Sequence, residues 1–262
     1  MYRIEDCPEI QGNYYLCGRS CGPCRELRGR VALISCLMKR SEEDFDEKTV
    51  ERYYHEVYRA CEVLENEAKR AGAPLKFQNY HFTVEVPQAC DPKKGFSLLK
   101  NFFSFKTTNQ ARQYYTKRLD ADETPFLLVF DEWERSFSWE QTKYSRRYVN
   151  EVSVIFRNDD NFSWRTIAHE LLHQYGAVDF YFPEEIQKCA DACLGQSLMG
   201  YYGERVDDFT AYLVGWRDTL SDDAYRFLKE TMWMTCERNT EEMYRTWKVD
   251  IFGGRKKEQK SR

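Results

Sequence analysis

The stretch H-E-L-L-H-Q-Y-G-A-V-D, residues 169–179, contains a row of groups able to hold a divalent metal. On an α-helix, residues four apart lie about 40° apart around the axis and ~6 Å apart along it. His169 and His173 can therefore aim their imidazoles at one ion. Two neutral nitrogens suit Zn²⁺, and Glu170 beside them is a carboxylate able to take a proton from a zinc-bound water. Gly176 stands where the helix can stop and reverse through a left-handed residue. Asp179 follows, so the returning segment can bring an oxygen to the same metal. The chain has four histidines in all, and the other two are poorly placed for this. His55 lies off the apolar stripe of a predicted helix and reads as solvated. His81 falls in a predicted strand and reads as structural. Asp179 is thus the best placed third ligand. The plainer alternative is an amphipathic helix with polar histidines and a solvated loop aspartate, and the glycine and aspartate spacing weighs against it.

The elements that must position these groups are legible from periodicity. "RVALISCLM" (30–38) reads as a buried strand. A helical pattern follows, with Val50, Tyr53, Tyr54, Val57, Cys61, Leu64 and Ala68 on one stripe, and "AGAP" ends it. A second strand runs over Leu75–Val86. Strand, long helix and strand form a crossover unit, which implies parallel strands and a mixed α/β sheet. Residues 97–119 are moderately helical, "PFLLVFDE" (125–132) is a third strand, and "RSFSWEQT" (135–142) alternates as an edge strand would. "NEVSVIFR" (150–157) is a further buried strand, and "NDDNFS" supplies a turn and N-cap residues for the H-E-x-x-H helix. Beyond it, residues 180–203 read as loop, then "RVDDFTAYLVGW", "DDAYRFLKETMWM" and "TEEMYRTWKV" as helices. The expected layout is a cysteine-containing segment over 1–28, an N-terminal lobe over 29–179 and a helical C-terminal lobe over 180–254. A basic tail over 255–262 follows, and the whole forms one catalytic domain.

"GQSLMGYYG" (195–203) places Met199 in a turn of small residues, 20 positions after Asp179. H-E-x-x-H-x-x-G-x-x-(H/D) with a downstream methionine turn resembles the metzincin zinc endopeptidases. Most members carry a third histidine where this chain has Asp179, and the snapalysin branch carries aspartate. The resemblance spans roughly residues 163–203. It implies a zincin-like α+β fold: a twisted, mostly parallel sheet whose antiparallel edge strand aligns a peptide, a helical C-terminal lobe and an active-site cleft between them. It also implies that Met199 forms a hydrophobic base under the metal. "S-L-M-G-Y" is similar to the astacin-type turn, whose tyrosine two residues after the methionine reaches the metal or the oxyanion. That position is Tyr201, with Tyr202 as the competing candidate; a hydroxyl there could steady a tetrahedral intermediate.

The expected activity is therefore peptide-bond hydrolysis on a protein or peptide substrate, by a zinc-bound water with Glu170 as general base. Two alternatives stand beside it: a silent zinc- and peptide-binding sensor module, and a zinc hydrolase of a non-peptide amide. A glutamate base is superfluous in a pure binding site, which disfavours the module.

Ten cysteines complicate the reading. "CGRSCGPC" has C-x3-C-x2-C spacing over Cys17, Cys21 and Cys24, with Cys7 upstream. A second, structural zinc, disulfides or free thiols, and a latency cysteine on the catalytic zinc as in the matrix metalloproteinases are all open. The spacing also matches the iron–sulfur loop of radical SAM enzymes, but the chain lacks the βα repeats of such a barrel. Cys189 and Cys193 could share a helical turn as thiols or bridge a loop. The formal net charge of −4, with both signs interspersed, gives no electrostatic case for nucleic acid or an anionic membrane. No window approaches a membrane span of about 18 apolar residues. "MYRIEDCPEI" shows no signal-peptide pattern, although most metzincins are secreted, so the expected compartment is the cytoplasm.

Overall fold

The computed structural model describes residues 1–22, 24–94, 104–139, 151–157, 162–201 and 203–234. Strand β1 (Gly29–Lys39) leads into the long helix α1 (Glu47–Ala71) and returns as β2 (Leu75–Glu85), parallel to β1 along its whole length. Asp46 caps α1 by accepting from the Thr49 amide at 2.7 Å, and Gly72 ends it in the left-handed conformation at φ 83°. That is the expected crossover unit.

Helix α2 (Thr108–Arg118) is the described part of the 97–119 pattern, since 95–103 lie outside the described residues. Strands β3 (Phe126–Trp133), β4 (Phe137–Trp139) and β5 (Val152–Arg157) complete a five-stranded sheet of order β2-β1-β3-β5-β4. All pairings are parallel except β4 with β5, so the "SFSW" run is an antiparallel edge strand. Mixed α/β architecture with a mostly parallel sheet follows from this order.

The inner strands read as unbroken apolar runs because both faces are covered. Leu33, Leu37, Leu127, Val129 and Ile155 join one core with Tyr53, Val57 and Leu64 of α1. Ile34, Cys36, Leu128, Phe130 and Val154 face the other way, onto Ala111 of α2. Each such Leu, Ile or Phe contributes ~1.5–3 kcal/mol by leaving water.

Helix α3 (Trp164–Gln174) carries H-E-x-x-H. Its face of Ile167, Ala168, Leu171 and Leu172 is buried, and it packs against α1 and β5. Ser163 occupies the N-cap position but makes no side-chain cap; Glu56 of α1 accepts from the Trp164 amide at 2.8 Å instead. Most of the expected "NDDNFS" turn lies outside the described residues.

One expectation is corrected. Residues 180–203 are not simply loop, because α4 (Glu184–Cys193) forms within them. Ile186, Ala190 and Cys193 give it an apolar stripe at helical spacing. Helices α5 (Asp208–Leu213) and α6 (Asp222–Glu230) follow, and α4 packs on α6. The "TEEMYRTWKV" pattern and the basic tail lie outside the described residues. Among the described residues no helix is long and apolar enough to cross a membrane.

Candidate metal centre

Helix α3 ends as the glycine spacing requires. Gly176 has φ 89°, its amide donates to the His173 carbonyl at 3.0 Å, and the Ala177 amide donates to the Leu172 carbonyl at 3.2 Å. This is a Schellman ending, which reverses the chain within two residues. A side chain at Gly176 would also strike the backbone of Gly18, since an added Cβ would stand 2.4 Å from the Gly18 carbonyl oxygen. The N-terminal segment and the zinc-type helix are thus locked together by two glycines.

The reversal carries Asp179 back over the helix. Its Oδ1 stands 3.0 Å from His169 Nε2 and 3.1 Å from His173 Nε2, and the two Nε2 atoms are 3.1 Å apart. Tetrahedral zinc with bonds of about 2.0–2.1 Å places its ligand atoms ~3.3 Å from one another. His169 Nδ1 donates to the Leu198 carbonyl at 3.0 Å, and His173 Nδ1 donates to the Ala177 carbonyl at 2.8 Å. With protons fixed on both Nδ1 atoms, the neutral imidazoles present Nε2 lone pairs to one another and to the carboxylate. Asp179 Oδ1 is buried without a hydrogen-bond donor. The three ligand-type atoms converge within 3.1 Å, a group that could hold a metal ion.

Burial disfavours the Asp179 carboxylate, yet when the imidazoles are protonated the charge of His173 and hydrogen bonds from both rings hold the carboxyl well below the usual range. The oxygen is anionic and ready to ligate. Asp179 also has a hydrogen-bond partner that the sequence reading missed. Tyr181 bonds to its carboxylate, and burial followed by the charge of Asp179 pushes the phenol up, so it remains a donor. Arg135 in turn donates to the Tyr181 hydroxyl. The Tyr181 ring lies over His169 at 6.4 Å between centroids. Tyr181 sits two residues past Asp179, and no spacing rule marks that position.

Glu170 is buried, with only 6% of its surface exposed, and its environment is built by the sheet edge. Ser138 of β4 donates to its Oε2 at 2.8 Å. Ser153 of β5 lies 2.8 Å from the Ser138 hydroxyl and donates to the Glu170 carbonyl at 2.9 Å. Gln174 donates to Ser153 Oγ at 2.7 Å and to the Phe126 carbonyl at 3.1 Å. Arg112 of α2 donates to Gln174 Oε1 at 2.9 Å and pairs with Glu151 at 2.9 Å, with both charges buried. A continuous polar chain therefore runs from Glu170 through the sheet to Glu151. Apart from Glu170, the sequence reading assigned none of these residues, because their partners are 15 to 62 positions distant.

Met199 is fully buried, and its carbonyl accepts from the Phe180 amide at 3.0 Å, next to Asp179. Ser197 ties this turn to Asp207, the N-cap of α5. Tyr201 is 62% exposed, its ring 5.1 Å from that of Tyr181, and Tyr202 lies outside the described residues.

His55 is 74% exposed beside Glu56, and His81 is packed between tyrosine rings, 4.1 Å from Tyr54, where burial lowers its pKa. Neither joins the metal group. Cys7, Cys17, Cys21 and Cys24 form no metal-holding group among the described residues. Cys7 lies by Glu9 and Asp6, whereas Cys24 lies by Arg112, Glu151 and Tyr175. No cysteine among the described residues joins His169, His173 and Asp179, so the latency arrangement is not present in them.

No protein-family model matches the chain, and no curated protein matches it.

Proposed function

We propose that the chain is a zinc-dependent endopeptidase of metzincin-like architecture. The observation that carries this reading is the convergence of His169 Nε2, His173 Nε2 and Asp179 Oδ1 within 3.1 Å on the helix that also bears Glu170. When bound, Zn²⁺ supplies Lewis acidity to a carbonyl oxygen and to water. Glu170 takes the proton of the attacking water and passes it to the leaving amine. Ser138 holds one carboxylate oxygen of Glu170, which leaves the other to face the reaction. Tyr181 is committed to Asp179 and orients the third ligand. Tyr201 donates to the oxyanion that forms as water adds. Among the described residues β4 ends the sheet order and pairs with β5 alone, so an extended peptide can add to its outer edge. Met199, buried in its turn, would form a hydrophobic base for the metal site.

Glu170→Gln tests the reading. The variant should keep its zinc and lose cleavage of a broad peptide library by about 10²–10⁴-fold, the usual contribution of a positioned base. Full retained cleavage would overturn the assignment. Zinc bound with no cleavage in the wild-type chain would favour the sensor module, and cleavage of small amides but not peptides would favour the non-peptide hydrolase.

A further inference from the structure

We propose that Cys189, Cys193 and Glu230 form a second metal site, one that holds a thiophilic divalent cation, Zn²⁺, and pins α4 to α6. Cys189 and Cys193 are four residues apart on α4, so both thiols project from one face toward the end of α6. Cys189 Sγ stands 3.4 Å from Glu230 Oε2, and Cys193 Sγ stands 3.9 Å from the same oxygen. The three donor atoms all lie within 4.8 Å of one another. With Zn–S bonds of about 2.3 Å and Zn–O of about 2.0 Å, tetrahedral geometry separates sulfur from oxygen by ~3.5 Å. The cluster is close to that shape.

Charge favours a cation there. Two thiolates and a carboxylate carry three negative charges; one divalent cation neutralises two, and a guanidinium shared with Asp223 offsets part of the third. The guanidinium is present: Arg226 donates to Cys193 Sγ at 3.4 Å and is anchored on Asp223 at 2.9 Å. Without a cation both thiols donate to the Glu230 carboxylate, and burial, then Cys193 and Glu230, push the Cys189 thiol up to about 12. Binding releases the two thiol protons to solvent and moves no electrons. Glu230 is exposed, so the remaining coordination position opens to water, as in a three-ligand site.

The choice of metal follows from the donors. Two thiolates select a soft or borderline ion, and a carboxylate with an open position suits Zn²⁺ better than a linear thiolate site for Cu(I). The role follows from the chain path. Helix α4 lies between Asp179, the third ligand of the first site, and the turn at Met199, so a metal here would hold that connection against the C-terminal helix. The proposal does not rest on peptidase activity.

Cobalt distinguishes the two centres, because only the cysteine cluster can give thiolate-to-metal charge transfer. The full chain, stripped by chelator under reducing conditions, is titrated with Co²⁺ and read in the near-ultraviolet. The expected result is a charge-transfer band that saturates at one equivalent, persists in His173→Ala and disappears in Cys189→Ser. Cys189 is only half-buried, so that variant should fold, and circular dichroism checks it. Glu230→Gln should keep the band and weaken cobalt affinity at least tenfold. No band in the wild-type chain, or a band unchanged in Cys189→Ser, overturns the proposal.

Discussion

Glu170 shows how a single side chain depends on neighbours that its own stretch of sequence does not contain. Its carboxylate is held by Ser138, 32 positions earlier on the edge strand. A hydrogen bond to a charged group contributes about 1.5–3 kcal/mol. Ser138→Ala should therefore lower kcat by roughly 10–100-fold, with KM and zinc content unchanged. Steady-state kinetics with metal analysis measure this, and an unaltered kcat would show that the hydroxyl does not position the base. The ligands were readable because helical spacing and a glycine turn are local. The partners of the ligands were not. Tyr181, Arg135 and Ser138 reach the site only through chain reversal and strand pairing.

At the scale of elements, the buried pair Arg112–Glu151 joins α2 to the start of β5, and through Gln174 it fixes α3 against the sheet. Removing one member leaves the other charge uncompensated in the interior, which typically costs about 3–5 kcal/mol. Arg112→Ala should destabilise by that amount in denaturant titrations, and a loss under ~1 kcal/mol would mean that water reaches Glu151. Nearby Glu123, at the entry to β3, behaves in the opposite sense. Burial raises its carboxyl to about 7, with Arg112 opposing the shift and Glu151 adding to it. A group whose folded pKa lies above its unfolded value stabilises fully below the unfolded pKa and loses that contribution as pH rises through the folded one. Stability should accordingly fall between about pH 4.5 and pH 7. In Glu123→Gln that slope should flatten, so the variant gains stability relative to wild type at pH 8 but not at pH 4; equal slopes would remove Glu123 as the cause.

For the whole molecule, the first and last described segments close on each other. Asn13 donates to the Leu228 carbonyl at 2.8 Å and to Thr231 Oγ1 at 3.0 Å, and the Leu27 amide donates to the Val214 carbonyl at 2.9 Å. The candidate metal ligands lie on α3 and on the segment whose Phe180 amide bonds the Met199 carbonyl. A ligand that binds only the folded chain at about 100 times its Kd stabilises it by ~2.7 kcal/mol. In a domain of this size that raises Tm by about 5–10 °C. Zinc added to the stripped Cys189→Ser protein should give this shift, and adding His173→Ala to that same protein should abolish it. Thermal melts with and without zinc measure it, and coincident melts for the Cys189→Ser protein would sink the structural assignment of the first site.

The sequence by itself determined what is local or periodic: the β1–α1–β2 unit, the apolar inner strands, the helix bearing His169, Glu170 and His173, and the reversal at Gly176. It also indicated the edge strand by its alternation. Ile186, Ala190 and Cys193 do carry helical spacing, but the stripe is short and flanked by Pro183 and Gly195, so the span read as loop and α4 emerged only in the structure, packed on α6. The sequence singled out Cys7, Cys17, Cys21 and Cys24 for a second metal, and these form no metal-holding group among the described residues. Only the tertiary structure brought Cys189, Cys193 and Glu230 together, or ran a polar chain from Glu170 to Arg112. The physical reason is the same in each case: hydrogen bonds and metal ligation act over a few ångströms in space, and sequence distance predicts that proximity only within a helix, a turn or a strand.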